Sequence, residues 1–293
     1  MLPGKSYLVT RRCSERRFFL RPSQSTSEIF LYVLAIAARR YGVLVHAFCV
    51  LSNHAHLVLT DRDGCLPAFM QYLDSLVARA VNASLGRFEA FWATDGSYSA
   101  VEPLDLSDVV AKTAYVLANP VAAGLVRRGT EWPGLWTAPE QIGSAKLVAR
   151  RPKIFFNLKS HLPESVELEL TTPPGFESAA EFRSLLSDAL REIEERHQRD
   201  LVSEGRRFLG AARVLAQNPF ARPPAGEPRF GLKPRIAARD KWKRIEGILR
   251  LRSFLRDYRQ AWIERRAGAG NVRFPAGTYL LRILHGVQCA GAA

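Results

Sequence analysis

Two histidines one residue apart, His54-Ala55-His56, are the first place in this sequence where residue type and spacing could support chemistry. On a β-strand, residues i and i+2 project from one face, so both imidazoles point together while Ala55 and Leu57 point the other way. Adjacent imidazoles can share a divalent cation, but an isolated His-x-His is weak evidence by itself. It needs a third ligand and a reason. Tyr115 and Asn119 are candidates for both. They lie four residues apart in a segment predicted helical over 107–118, hence on one face with Asp108, Ala111, Lys112 and Ala118. Val110, Thr113 and Leu117 lie opposite and suit a core. That places the Tyr115 hydroxyl on the polar side, where it can reach a substrate.

These side chains need elements to hold them, and the first half of the chain alternates strand and helix signals. Residues 5–13 read as a strand around Tyr7-Leu8-Val9-Thr10. Ser25 with Glu28 three residues on forms a capping-box signature, and the apolar helix that follows ends near Arg40, with Gly42 at its exit. Val43–Leu51, the Ser52-Asn53 turn and His54–Thr60 read as a hairpin. Leu66, Phe69, Met70, Leu73, Leu76, Val77, Ala80 and Val81 keep helical spacing. A short strand at 98–101 and a helix ending at Asn119-Pro120 complete the unit. The order predicts an α+β fold, a ferredoxin-like antiparallel sheet with helices on one face. Domain boundaries are expected at 1–137, with a proline-punctuated linker over 138–175. Residues 176–293 are expected to form a basic, mainly helical C-terminal domain. In its long helix, about 236–266, Trp242, Ile245, Leu249, Leu255, Tyr258 and Trp262 predict one buried stripe.

Bulk composition narrows the partner. The 293 residues carry 42 Lys and Arg against 28 Asp and Glu, a net charge of +14. Nineteen of the basic residues fall in 206–293. Such a field favours a polyanion, most often nucleic acid, through phosphate neutralisation and counterion release. The longest apolar run, Ile29 to Ala38, is ten residues and is closed by Arg39-Arg40. A membrane span needs roughly 20 residues. No apolar stretch of a secretory leader follows Met1, so a cytoplasmic location without membrane association is the expectation. The four cysteines are scattered, which disfavours a zinc ribbon and a disulfide framework. His46 is expected to be structural.

Leu51-Ser52-Asn53-His54-Ala55-His56-Leu57 resembles the hydrophobic-x-Asn-His-hydrophobic-His signature of HUH-type single-tyrosine transposases. Tyr115 to Val126, Tyr-Val-Leu-Ala-Asn-Pro-Val-Ala-Ala-Gly-Leu-Val, resembles the tyrosine block of the REP-associated tyrosine transposases. Phe69-Met70-Gln71, Asn82, Phe91-Trp92 and Glu131-Trp132-Pro133 fit the family in order, so the resemblance spans about 5–137. Ser52 stands where the family usually has proline, Ala55 is small for its slot, and a histidine common in the first strand is missing.

The resemblance implies His54 and His56 as metal ligands, Asn119 as third ligand through its carbonyl oxygen, and Tyr115 as nucleophile. It implies Mg²⁺ or Mn²⁺ as cofactor. The substrate it implies is single-stranded DNA beside a hairpin, cut to give a 5′-phosphotyrosine and a free 3′-hydroxyl. Arg11, Arg12, Lys112, Arg127 and Arg128 are the candidate DNA contacts. A free phenol ionises near pH 10, so such a nucleophile depends on its surroundings. The competing reading is a DNA-binding regulator that keeps the fold and no longer cuts. An RNA-recognition sheet is disfavoured because the aromatic RNP pattern is absent. The sequence leaves monomer and homodimer both open.

Overall fold

The computed structural model describes residues 2–94, 96–157, 159–223 and 234–291. Its first half runs β1 (Lys5–Arg12), α1 (Gln24–Tyr41), β2 (Val43–Leu51), β3 (His54–Asp61), α2 (Leu66–Ser84), β4 (Ser99–Pro103) and α3 (Leu106–Ala122). The second half adds β5 (Lys146–Arg150), β6 (Ser165–Glu169), α4 (Ala179–Ser203), α5 (Ala211–Leu215), β7 (Ile236–Ala237), α6 (Lys241–Arg266) and α7 (Leu280–His285). The main sheet has the order β2-β3-β1-β4-β7. Its first four strands pair antiparallel, and β7 joins β4 in parallel. The α+β class and the ferredoxin-like strand order are therefore as expected.

The helices occupy both faces rather than one. Tyr7, Val9, Phe48, Val50, Ala55, Leu57 and Leu59 bury against α1 and α2. Leu8, Ala47, Cys49, Leu51, Val58 and Val101 point the other way into a second cluster with α3 and α4. β3 carries the local sign of this arrangement. Leu57-Val58-Leu59 is a continuous apolar run, the mark of a strand covered on both sides.

Local chemistry sets the boundaries. α1 starts two residues earlier than the Ser25–Glu28 signature implies, because Ser23 Oγ accepts the Thr26 N–H at 3.1 Å. Gly42 closes α1 with φ +63°, a conformation that favours glycine. The buried Asp61 carboxylate accepts the Cys65 and Leu66 N–H groups at 2.7 and 2.9 Å, fixing the entry to α2. α3 is capped by Asp105 and continues through Pro120 to Ala122 rather than stopping at Asn119. Pro120 falls in the last turn, so its missing N–H forfeits only one helical bond. That extra turn keeps Asn119 helical.

Residues 138–175 do not behave as a linker. β5 and β6 form a hairpin whose Ala149, Val166 and Leu168, followed by Leu170, enter the core beside α1. The prolines at 139, 152, 163, 173 and 174 flank these strands instead of interrupting them. α4 likewise shares a core with α3 through Phe182, Leu186 and Leu190, so it extends the second cluster on the sheet. The stripe expected on α6 is corrected too. Trp242 is 72% exposed, and Leu249 and Leu255 are 56% and 55% exposed. Gly247 and Ala261 are the buried positions, and only a small cluster of Ala261, Phe274 and Val287 forms at its far end.

His46 holds the hairpin to the sheet, as a structural histidine should. Its Nδ1–H donates to the Thr171 carbonyl at 2.8 Å, and Nε2 accepts from Thr60 Oγ1 at 2.7 Å. Burial pushes it down to about 4, against a small opposing effect of the Thr171 bond. The unfolded chain takes up this proton near pH 6.5 and the folded chain only near 4. Stability from this group is therefore complete above 6.5 and is lost as pH falls. The loss should approach roughly 3 kcal/mol near pH 4. In urea melts, His46→Gln should flatten the slope between pH 6.5 and 4; an identical slope would contradict this role.

Candidate active site

The Ser52-Asn53 turn begins β3 with His54, and the strand register does the rest. Arg12 faces His54 and Thr10 faces His56 across β1, while Leu51 and Cys49 face them across β2. The two imidazole centroids lie 4.7 Å apart, with the rings nearly perpendicular at 89°. The Tyr115 ring centroid lies 5.8 Å from that of His56. α3 delivers it from the second face of the sheet. Tyr115 is 47% exposed, whereas its neighbours Ala114 and Val116 are fully buried.

Hydrogen bonds orient the donors. His54 Nδ1 donates to Asn53 Oδ1 at 2.6 Å, since an amide oxygen can only accept. Thr10 Oγ1 engages His56 Nδ1 at 2.8 Å. Both rings are thus held by Nδ1, leaving Nε2 as the nitrogen available to a ligand. Asn119 Nδ2 donates to the Tyr115 carbonyl at 2.7 Å, which leaves its Oδ1 as the remaining polar atom. The Asn119 side chain is close enough to both imidazoles to favour their protonated forms slightly.

Electrostatics keep the imidazoles uncharged. Burial, then the Arg12 charge, lowers His54 to about 4, with Asn119 pulling the other way. His56 sits well below the usual histidine range through burial, then the charges of His54 and Arg12. At neutral pH both rings therefore offer lone pairs. Two neutral imidazoles and one carboxamide oxygen form a donor set that suits a divalent cation and leaves positions for oxygen ligands. Because all three are uncharged, the cation would keep its charge for an anionic substrate. Among the described residues no cluster of three or more His, Cys, Asp or Glu has metal-binding geometry.

The candidate basic residues separate. Lys112 Nζ lies 5.7 Å from the Tyr115 ring centroid, one turn back along α3. Arg12 belongs to the histidine face of β1. Arg11 does not: its side chain ion-pairs with Asp74 at 3.0 Å. Its Nη1 also donates to the Ala93, Gly96 and Ser97 carbonyls at 3.2, 3.0 and 2.8 Å. The expectation of Arg11 as a DNA contact is replaced by a structural role, because the alternation of β1 turns it away from His54. Arg127 and Arg128 are exposed at the exit of α3. Their surroundings run to Glu131, Gln198 and Glu194 rather than to the histidines. Asp108 also departs from the expected polar face. It is 3% exposed and accepts the Arg239 N–H at 2.8 Å.

Three contributors were not legible as such. Thr10 acts through a cross-strand register that only the folded sheet defines. Asn53 acts through its side chain on the next residue, which its place before His54 could have signalled. Arg16, in a left-handed conformation with φ +58°, adds positive charge beside His54.

No family model and no curated protein matches the chain. Among solved structures it is similar to a REP-associated tyrosine transposase bound to a REP hairpin, at 18% identity and a TM-score of 0.38, over 45% of this chain and 76% of that one. It is also similar to a provisionally named transposase of Deinococcus radiodurans R1, at 18% identity and a TM-score of 0.28, over 34% and 80% of the two chains. No helix among the described residues is long and apolar enough to cross a membrane.

Proposed function

We propose that this chain is a metal-dependent single-strand DNA transposase that nicks and rejoins DNA beside hairpins through Tyr115. The observation that carries the reading is the convergence of His54, His56 and Asn119, donor atoms already oriented, beneath an exposed tyrosine. Tyr115 Oη attacks the phosphorus of a backbone phosphodiester and gives up its proton. The bond from phosphorus to the 3′ oxygen breaks, that oxygen takes up a proton, and the 5′ phosphate remains esterified to Tyr115. Attack by a 3′-hydroxyl reverses the exchange, so one phosphoester bond replaces another and no nucleotide cofactor is consumed.

His54, His56 and Asn119 would hold Mg²⁺ or Mn²⁺, which would polarise a non-bridging phosphate oxygen and stabilise charge as it develops. Two nitrogen donors favour Mn²⁺ of the pair. Lys112 near the Tyr115 ring and Arg12 beside the histidines supply positive charge that would draw the phosphate in. Asn119, tied to the Tyr115 carbonyl, keeps donor and nucleophile in register on one helix.

A denaturing gel tests this directly. Protein incubated with end-labelled hairpin DNA carrying a single-stranded flank, and Mn²⁺, should give a shortened product and a protein-linked band. Chelator should remove both. Binding without either band would favour the non-cleaving regulator and overturn the enzyme.

A further inference from the structure

α6 presents an outer face that no described residue covers. It meets the rest of the chain on one side, through Gly247 against Leu104 and Ile236, and through Tyr258 and Ala261 against the small Phe274 cluster. Ion pairs from Lys243 to Asp105 and from Arg250 to Glu102, at 2.9 and 2.8 Å, pin its first half. On the opposite side Trp242, Ile245 and Leu249 recur at steps of three and four, and Arg252, Arg256 and Arg259 continue the same line. Arg256 also bonds Asp257 at 2.9 Å. The helix holds nine Lys and Arg against three acidic residues. Its two tryptophans each lie beside a cation, Lys241 at 5.7 Å from Trp242 and Arg266 at 4.7 Å from Trp262.

We propose that this face is a second nucleic-acid site, a track for single-stranded DNA separate from Tyr115. A merely solvated face does not need Trp242 and Leu249 in the open. A lipid surface requires apolar residues on one side with cations along the rim, whereas here both follow one another along a single line. A second copy of the chain would set two strongly basic helices against each other. Single-stranded DNA supplies both complements: phosphates for Arg252, Arg256 and Arg259, and flat base faces for Trp242 beside its lysine. The site is read by binding alone, so it stands or falls independently of cleavage at Tyr115.

The test uses the full chain and a fluorescent 30-nucleotide oligomer without hairpin, titrated by anisotropy over a series of salt concentrations. The triple variant Arg252→Gln, Arg256→Gln, Arg259→Gln should bind at least about tenfold more weakly. Its log K against log salt should be shallower by about 2, the release expected for three single-strand phosphates. Trp242→Ala should lose about tenfold with the slope unchanged, because stacking releases no counterions. All four positions are exposed, and circular dichroism should show unchanged helix content. As a second readout, 4-thiothymidine in the oligomer should crosslink to residues 241–266. Wild-type affinity and slope in both variants, or crosslinks confined to the Tyr115 region, would overturn the proposal. So would α6-dependent sedimentation with phosphatidylserine vesicles without oligomer binding, or a dimer that Trp242→Ala converts to monomer.

Discussion

Tyr115→Phe is expected to abolish strand cleavage and the covalent protein–DNA band together, while DNA binding and folding survive. The change removes one oxygen and keeps the ring that packs against His56 at 5.8 Å between centroids. Because the side chain is 47% exposed, the lost hydroxyl should change stability by less than about 0.5 kcal/mol. Tyr7 does not compete for the role by placement: it is 5% exposed and lies on the opposite face of β1 from Thr10. Burial, aided by the nearby Glu102 carboxylate, further raises the Tyr7 hydroxyl out of the nucleophilic range. Cleavage at the wild-type rate by the Phe variant would move the chemistry elsewhere.

The second large effect concerns the histidine pair. His54→Ala or His56→Ala should each reduce cleavage by at least roughly 100-fold, more than is typical for losing only a supporting partner of a ligand. Affinity for hairpin DNA should stay within about tenfold, since phosphate contacts dominate binding. Metal binding supplies an independent readout. Mn²⁺ should raise the wild-type melting temperature, because a ligand that binds only the folded state stabilises it by mass action. Neither Ala variant should show that rise. A variant with a normal Mn²⁺ shift and normal cleavage would remove His54 or His56 from the metal site.

Much of this arrangement was legible in the chain because it depends on local spacing. The i, i+2 geometry of a strand puts His54 and His56 on one face, and the i, i+4 geometry of a helix joins Tyr115 to Asn119. The strands of the ferredoxin-like unit follow from equally local patterns. What was not legible depends on long-range pairing. The second helical layer has its local sign in the short Leu57-Val58-Leu59 run, but the helices α3 and α4 that cover that face reach it by long-range packing no local pattern assigns. The β5–β6 hairpin hides among prolines that flank it. Arg11 and Arg12 are adjacent in sequence, and only the register of β1 assigns one to Asp74 and the other to His54. The α6 stripe failed for a related reason. Helical spacing identifies which residues share a face, but the docking of Gly247 and Ala261 decides which face is inside.

The most direct measurement is mass spectrometry of protein digested after reaction with hairpin DNA and Mn²⁺. The expected result is a nucleotide joined through its 5′ phosphate to the peptide containing Tyr115, absent when chelator is present. An adduct on Tyr98 or Tyr7, or cleaved DNA with no adduct on any tyrosine, would contradict it.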